Sequence, residues 1–337
     1  MANPILVEVT RGDLVESVHR GSVAIANADG KVVFSLGDID ALVYPRSSLK
    51  PIQALPLLES GAAEAFGLGD EEIALACASH SGEPMHTTRV AAWLARIGCE
   101  ASDLACGPHP VRYEPVWEAM VKHGEQPTRV HNNCSGKHTG FLTVARHWDI
   151  ATKGYEHHDH PVQRAIAVAL GELADLEGEL AWGIDGCAAP NFALPLSAFA
   201  RALAKFATPA SLPSQRGNAA RRIVRAMTAH PELVSGTGRA CAIFMRAAKG
   251  RAAVKTGAEG YFAGIIPDAG LGIALKIDDG ATRASETAMA AILDKLGLLD
   301  HDAPAHGILR AAVTNTRGAV VGERRAATAL TDMSLLV

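Results

Sequence analysis

Ser47-Ser48-Leu49-Lys50-Pro51 places a serine and a lysine three residues apart. In the first turn of a helix, positions i and i+3 share a face. The Ser47 hydroxyl would then lie within reach of the Lys50 amine, and a neutral lysine could take the serine proton. Backbone N–H groups at the helix start could hold an oxyanion. Neutrality requires lowering the lysine pKa from about 10.4 towards 7, so burial or a second cation must act on it. A helix cap followed by a solvated lysine uses the same residues.

A second lysine motif, Lys255-Thr256-Gly257, comes late in the chain. An early S-x-x-K and a late K-T-G are the pair used by penicillin-recognising serine enzymes, where the K-T-G strand lines the site opposite the nucleophile. Cys77-Ala78-Ser79-His80-Ser81-Gly82-Glu83 reads as a polar loop between helices. One of its serines could pair with a lysine from elsewhere, or cap a helix. Asn132-Asn133-Cys134-Ser135-Gly136-Lys137-His138 and Asp185-Gly186-Cys187 each carry one cysteine. Their spacing does not make a metal site, and buried structural thiols fit as well. Glu156-His157-His158-Asp159-His160 holds three histidines but lacks the i, i+4 spacing of a helical metal pair. Structural or surface roles suit it better.

The rest of the chain must position these residues. Segments 4–10, 15–27 and 31–36 read as strands, with Asn27-Ala28-Asp29-Gly30 as a hairpin turn. Helical patterning follows at 50–60, 70–76, 84–97, 114–122, 136–147, 161–175, 196–206 and 213–229. Asp159-His160-Pro161 looks like a cap followed by an early helical proline. Segments 251–256, 260–267 and 271–278 read as an antiparallel meander, followed by a helix near 285–297. Strands at both ends and helices between them predict an α+β fold, an α/β sandwich with one antiparallel sheet and an inserted helical cluster. We expect a single domain over 1–337, with the sheet from about 1–45 and 250–337 and helices from about 46–249.

Composition narrows the function. The chain has 337 residues, 32 basic and 36 acidic, so its net charge is only −4. Nucleic-acid binding needs a concentrated basic surface, and none is expected here. With 48% hydrophobic and 20% charged residues, the chain reads as globular, and its length should bury roughly 75% of the unfolded surface. No stretch of 18 apolar residues and no secretory signal is legible, so no membrane partner is expected. Six scattered cysteines then read as thiols in a reducing cytoplasm.

In combination these motifs are specific. Arg46-Ser47-Ser48-Leu49-Lys50-Pro51, Cys77-Ala78-Ser79-His80-Ser81, Asn133-Cys134-Ser135-Gly136-Lys137-His138 and Asp185-Gly186-Cys187 occur in that order, with Asp159-His160-Pro161-Val162-Gln163 among them. The chain closely resembles the Rhizobium etli-type L-asparaginases, the asparaginase II family, over nearly its whole length. That resemblance implies a fold related to serine β-lactamases and glutaminases, and two serine–lysine tandems, Ser47 with Lys50 and Ser79 with Lys255. It implies zinc held by Cys134, Lys137 and Cys187, and a substrate pocket that includes Arg46, His138 and Asp185. It also implies L-asparagine as substrate and a homodimer. The expected reaction converts L-asparagine to L-aspartate and ammonia, with Ser47 attacking. The alternatives are a serine amidohydrolase for glutamine or a β-lactam, and a non-catalytic binder or zinc–thiol sensor.

Overall fold

In the computed structural model, which describes residues 2–300 and 302–334, strands from both ends of the chain meet in one sheet. β1 (Ile5–Arg11), β2 (Leu14–Ala26) and β3 (Val32–Leu36) come first. The short β4 (Leu42–Val43), β5 (Trp182–Ile184), β6 (Pro190–Phe192) and β7 (Leu194–Pro195) flank or interrupt the helical part. β8 (Ala253–Thr256), β9 (Tyr261–Ile266) and β10 (Leu271–Ile277) form the expected meander. β11 (Arg310–Thr314) and β12 (Val320–Ala326) follow. The main sheet runs β11-β12-β1-β2-β10-β9-β8, with β3 added alongside β2, and every pairing is antiparallel. The expected α+β architecture, with its sheet drawn from both chain ends, is what forms.

β2 joins the two halves of the sheet. Its first half pairs with β1, and its second half pairs with β10 and β3. The Asn27 side chain accepts from the backbone N–H groups of Asp29 and Lys31, which fixes the β2–β3 turn. β9 is buried along its entire length, so helices must cover both faces. Gly264 and Gly272 show how. They occupy neighbouring rungs of the β9–β10 ladder and therefore point to opposite faces. A side chain at Gly264 would approach Met289 of helix Thr282–Lys295. One at Gly272 would lie 2.2 Å from the Ala200 carbonyl oxygen of helix Leu196–Ala207, so only glycine lets that helix approach so closely.

Helices Pro84–Arg96, Glu114–Lys122, Ser135–His147, Pro161–Ala174 and Ser214–Ala229 occupy the segments whose periodicity predicts them. The expected helix 50–60 is instead a 3₁₀ turn, Arg46–Leu49, followed by two short helices, Lys50–Gln53 and Leu55–Glu59. Pro56 explains the break: it has no N–H to offer the carbonyl one turn back, and its ring crowds that carbonyl. His160, not Asp159, caps helix Pro161–Ala174, accepting from the Val162 N–H at 3.2 Å. Its other ring nitrogen contacts the Ala151 carbonyl oxygen, so His160 is fully engaged without a metal. His158 stacks on Trp182. Among the described residues no helix is long and apolar enough to cross a membrane.

Candidate active site

The K-T-G strand end packs onto the S-x-x-K turn. Ser48 is buried, and its hydroxyl donates to the Lys255 carbonyl oxygen at 2.8 Å. A Cβ on Gly257 would fall 2.5 Å from the Pro45 carbonyl oxygen and 3.0 Å from Ser48 Oγ, so this contact requires glycine. The turn itself is strained at Arg46, a non-glycine residue with φ of +52°. Its neighbour Ser47 lines a cavity of about 270 Å³ together with Ser79, Asn133, Thr256 and Gly257. Ser47 Oγ makes no hydrogen bond among the described residues.

The expected bond between Ser47 and Lys50 is not formed. Lys50 Nζ instead donates to Ser79 Oγ at 2.9 Å, to the Ala78 carbonyl oxygen and to Cys134 Sγ at 3.1 Å. Lys50 is drawn to acceptors on the loop that carries Ser79, and its side chain is buried there. Lys255 Nζ reaches the same Ser79 Oγ at 2.9 Å and the Thr256 carbonyl oxygen at 2.8 Å. One buried hydroxyl therefore lies between two buried lysine side chains. Burial, with Lys50 and Arg239 nearby, pushes Lys255 down to about 7, although Cys241 opposes the shift. Its proton is therefore far more loosely held than that of an exposed lysine.

Beside Lys50 lies a second cluster. Lys137 Nζ donates to Cys187 Sγ at 3.0 Å, and Cys134 lies close enough to Cys187 for the two thiols to influence each other's ionisation. All three side chains are buried. Cys134, together with Lys137 and against burial, holds the Cys187 thiol far below its ordinary pKa. The neighbouring Cys187, followed by burial, pushes Cys134 up to about 12. Burial would lower Lys137, but Cys187, Cys134 and Asp185 outweigh it and raise its pKa. Two sulfurs and one amine thus lie together, and Cys187 is the more acidic of the two thiols. This donor set suits a borderline-soft cation and leaves the fourth tetrahedral position open. Among the described residues no group of three His, Cys, Asp or Glu side chains converges in that way.

The remaining sequence candidates sit around these clusters. Arg46 forms an ion pair with Asp185 at 2.8 Å. Burial would raise the Asp185 carboxyl, but Lys137 and Arg46 hold it below its ordinary range. His138 is fully buried, with Nδ1 at 2.7 Å from Tyr155 Oη and Nε2 unpartnered. Burial and Lys137 push it down to about 3, so it is neutral. In the loop after Cys77, Ser79 joins the lysines while Ser81 donates to Glu83. Sequence reasoning missed Arg112, Arg239 and Glu259, which also line the cavity. They lie in loops with no recognisable motif.

The antiparallel sheet, Ser79 between two buried lysines and Ser47 at the cavity wall thus form one continuous site. The L-asparaginase II family profile matches residues 7–326, and the chain belongs to that family of amidohydrolases. No curated protein sequence matches it significantly. Among solved structures, Mglu in its native form is 15% identical, with 84% of this chain and 66% of that chain covered and a TM-score of 0.48. The chain thus spans just under two thirds of Mglu. A β-lactamase from Mycobacterium bovis is 14% identical, with 82% and 94% covered and a TM-score of 0.45.

Proposed function

We propose that the protein hydrolyses the side-chain amide of L-asparagine to L-aspartate and ammonia, with Ser47 as nucleophile. The observation that carries this reading is Ser79 Oγ, held at 2.9 Å from both Lys50 and Lys255 beside an unengaged Ser47 at the cavity wall. Lys50, Ser79 and Lys255 form a relay. When Lys255 is neutral, a proton on Lys50 can pass through the Ser79 hydroxyl to Lys255. That frees Lys50, one turn from Ser47, to accept the serine proton.

Ser47 Oγ then bonds to the amide carbon as its proton enters the relay. The relay returns a proton to the amide nitrogen, the C–N bond breaks and ammonia leaves. Water repeats the attack on the Ser47 ester, giving aspartate and restoring the hydroxyl. The zwitterionic substrate needs an anion for its ammonium group, and Asp185, kept ionised by Arg46 and Lys137, suits that role. Arg46 keeps Asp185 in place, and His138 supports the wall of the site through Tyr155.

Cys134, Lys137 and Cys187 would hold zinc, with the proton on Lys137 displaced by the cation. Bound there, zinc supplies a fixed positive charge that helps orient the substrate. A reducing cytoplasm suits six cysteines that are all free and buried. A homodimer belongs to the same reading and rests on family membership alone.

The test is ammonia release from L-asparagine, with L-glutamine and a β-lactam alongside and Ser47→Ala as control. Release from asparagine that falls on the order of 10⁴-fold or more in the mutant supports the proposal. Turnover of glutamine or the β-lactam, with none of asparagine, moves the substrate. No release from any amide overturns the catalytic reading and leaves a binding protein.

A further inference from the structure

Two arginines on the wall of the Ser47–Ser79 cavity have no role in the relay. Arg239 Nε is buried without a hydrogen-bond partner. Among the described residues neither Arg112 nor Arg239 has a carboxylate at ion-pair distance. An unsatisfied buried donor is costly, more so when it is charged, so an arginine left this way favours an acceptor arriving from the cavity. Arg112 counts as exposed as a residue, yet burial of its guanidinium lowers its pKa, and the charge of Arg239 lowers it further. The two cations are thus close enough to repel, and an anion between them would relieve that repulsion.

Both arginines are also tied to the loop that carries Ser79. The Arg112 backbone N–H donates to the Ser81 carbonyl oxygen at 2.9 Å. Two residues before Arg239, Thr237 donates its backbone N–H to Glu83 Oε1 at 2.9 Å and its hydroxyl to Oε2 at 2.7 Å. Glu83 in turn accepts from Ser81. The backbone that carries each arginine is therefore anchored to the loop that carries Ser79.

We propose that Arg112 and Arg239 form the recess for the α-carboxylate of the amino-acid substrate. This rests on the amidohydrolase reading above and adds the group that fixes the substrate's far end. Planar guanidinium forks match a carboxylate in geometry as well as charge. With the carboxylate held at a set position, side-chain length decides whether the amide carbon reaches Ser47. One extra methylene, as in glutamine, moves it out of register. The recess thus acts as a ruler for substrate length as well as a charge partner.

The test is isothermal titration of the wild type, Arg239→Gln and Arg112→Gln with L-aspartate and with β-alanine, which lacks only the α-carboxylate. Wild type should bind L-aspartate at least about tenfold more tightly than β-alanine. Each glutamine variant should bring the two ligands within about threefold of each other. Arg239→Lys keeps the charge without the fork and serves if Arg239→Gln does not fold; it should retain part of the preference. An unchanged preference in the variants, an equal loss for both ligands, or no aspartate binding by wild type overturns the proposal. Aspartate binding through the arginines, without ammonia release from asparagine, overturns the reaction instead and leaves the recess in place.

Discussion

Lys255 and Lys137 are both almost completely buried, and their pKa values move in opposite directions. Burial disfavours the charge on each. Around Lys255 the neighbours are a hydroxyl, a second lysine and Arg239, so the amine is pushed down to about 7. Around Lys137 the neighbours are the Cys187 thiolate, Cys134 and Asp185, so its proton is retained. One lysine is prepared to exchange protons, while the other holds its proton. What a buried lysine does here depends on its first neighbours and not on its depth.

The largest test of that contrast is Lys255→Met. Ammonia release should fall by on the order of 10²–10⁴-fold, the range for losing a general base or acid. The pH profile sharpens the same point. In wild type, kcat/KM should rise as Lys255 loses its proton near pH 7 and level off above it. Folded-state Lys255 has a depressed pKa, so the unfolded chain binds more protons between about pH 7 and pH 10.4. Stability should therefore increase with pH across that window, and Lys255→Met should flatten the increase in urea unfolding. A wild-type profile flat through pH 7 would break the comparison.

The second cluster should respond differently. Lys137→Met removes an amine from the Cys134–Cys187 pair and should weaken zinc retention at least about tenfold, read by metal analysis after dialysis against a chelator. The activity step near pH 7 should stay where it is, because Lys255 keeps its neighbours. A shift of that step would mean the two lysines act as one coupled set.

Much of this was legible in the residues. The serine–lysine motifs, the strands at both chain ends and the meander carrying Lys255 follow from composition and period. The pairing of Lys50 with Ser79 did not, because it joins residues 29 apart in the chain, and local spacing does not record such a contact. β12 carries Glu323, Arg324 and Arg325, poor strand formers that pairing with β1 and the Arg325–Glu8 ion pair hold in place. Helix Ala240–Ala247 lies between motifs and the β5–β6 hairpin brackets Asp185-Gly186-Cys187, but their short runs carry no clear period. The site needs contacts across more than 170 residues, such as Lys255 with Ser79, and no local pattern records such distances.

A smaller effect concerns how the Lys255 strand is held rather than what Lys255 does. Gly257→Ala would bring a methyl group to 2.5 Å from the Pro45 carbonyl oxygen, and backbone must move to admit it. We expect a loss of about 1–3 kcal/mol in urea unfolding, with activity reduced because Lys255 is displaced from Ser79. Ser48→Ala is milder. It removes the 2.8 Å bond to the Lys255 carbonyl oxygen without adding bulk, at about 1 kcal/mol. Ser48 acts through Lys255, so it is a positioning residue, and a merely structural role would lower stability alone. If it positions the strand, Ser48→Ala should also move the activity step away from pH 7 while leaving zinc content unchanged. An unmoved step with lowered stability would leave Ser48 a packing residue and place the control of Lys255 in its side-chain neighbours alone.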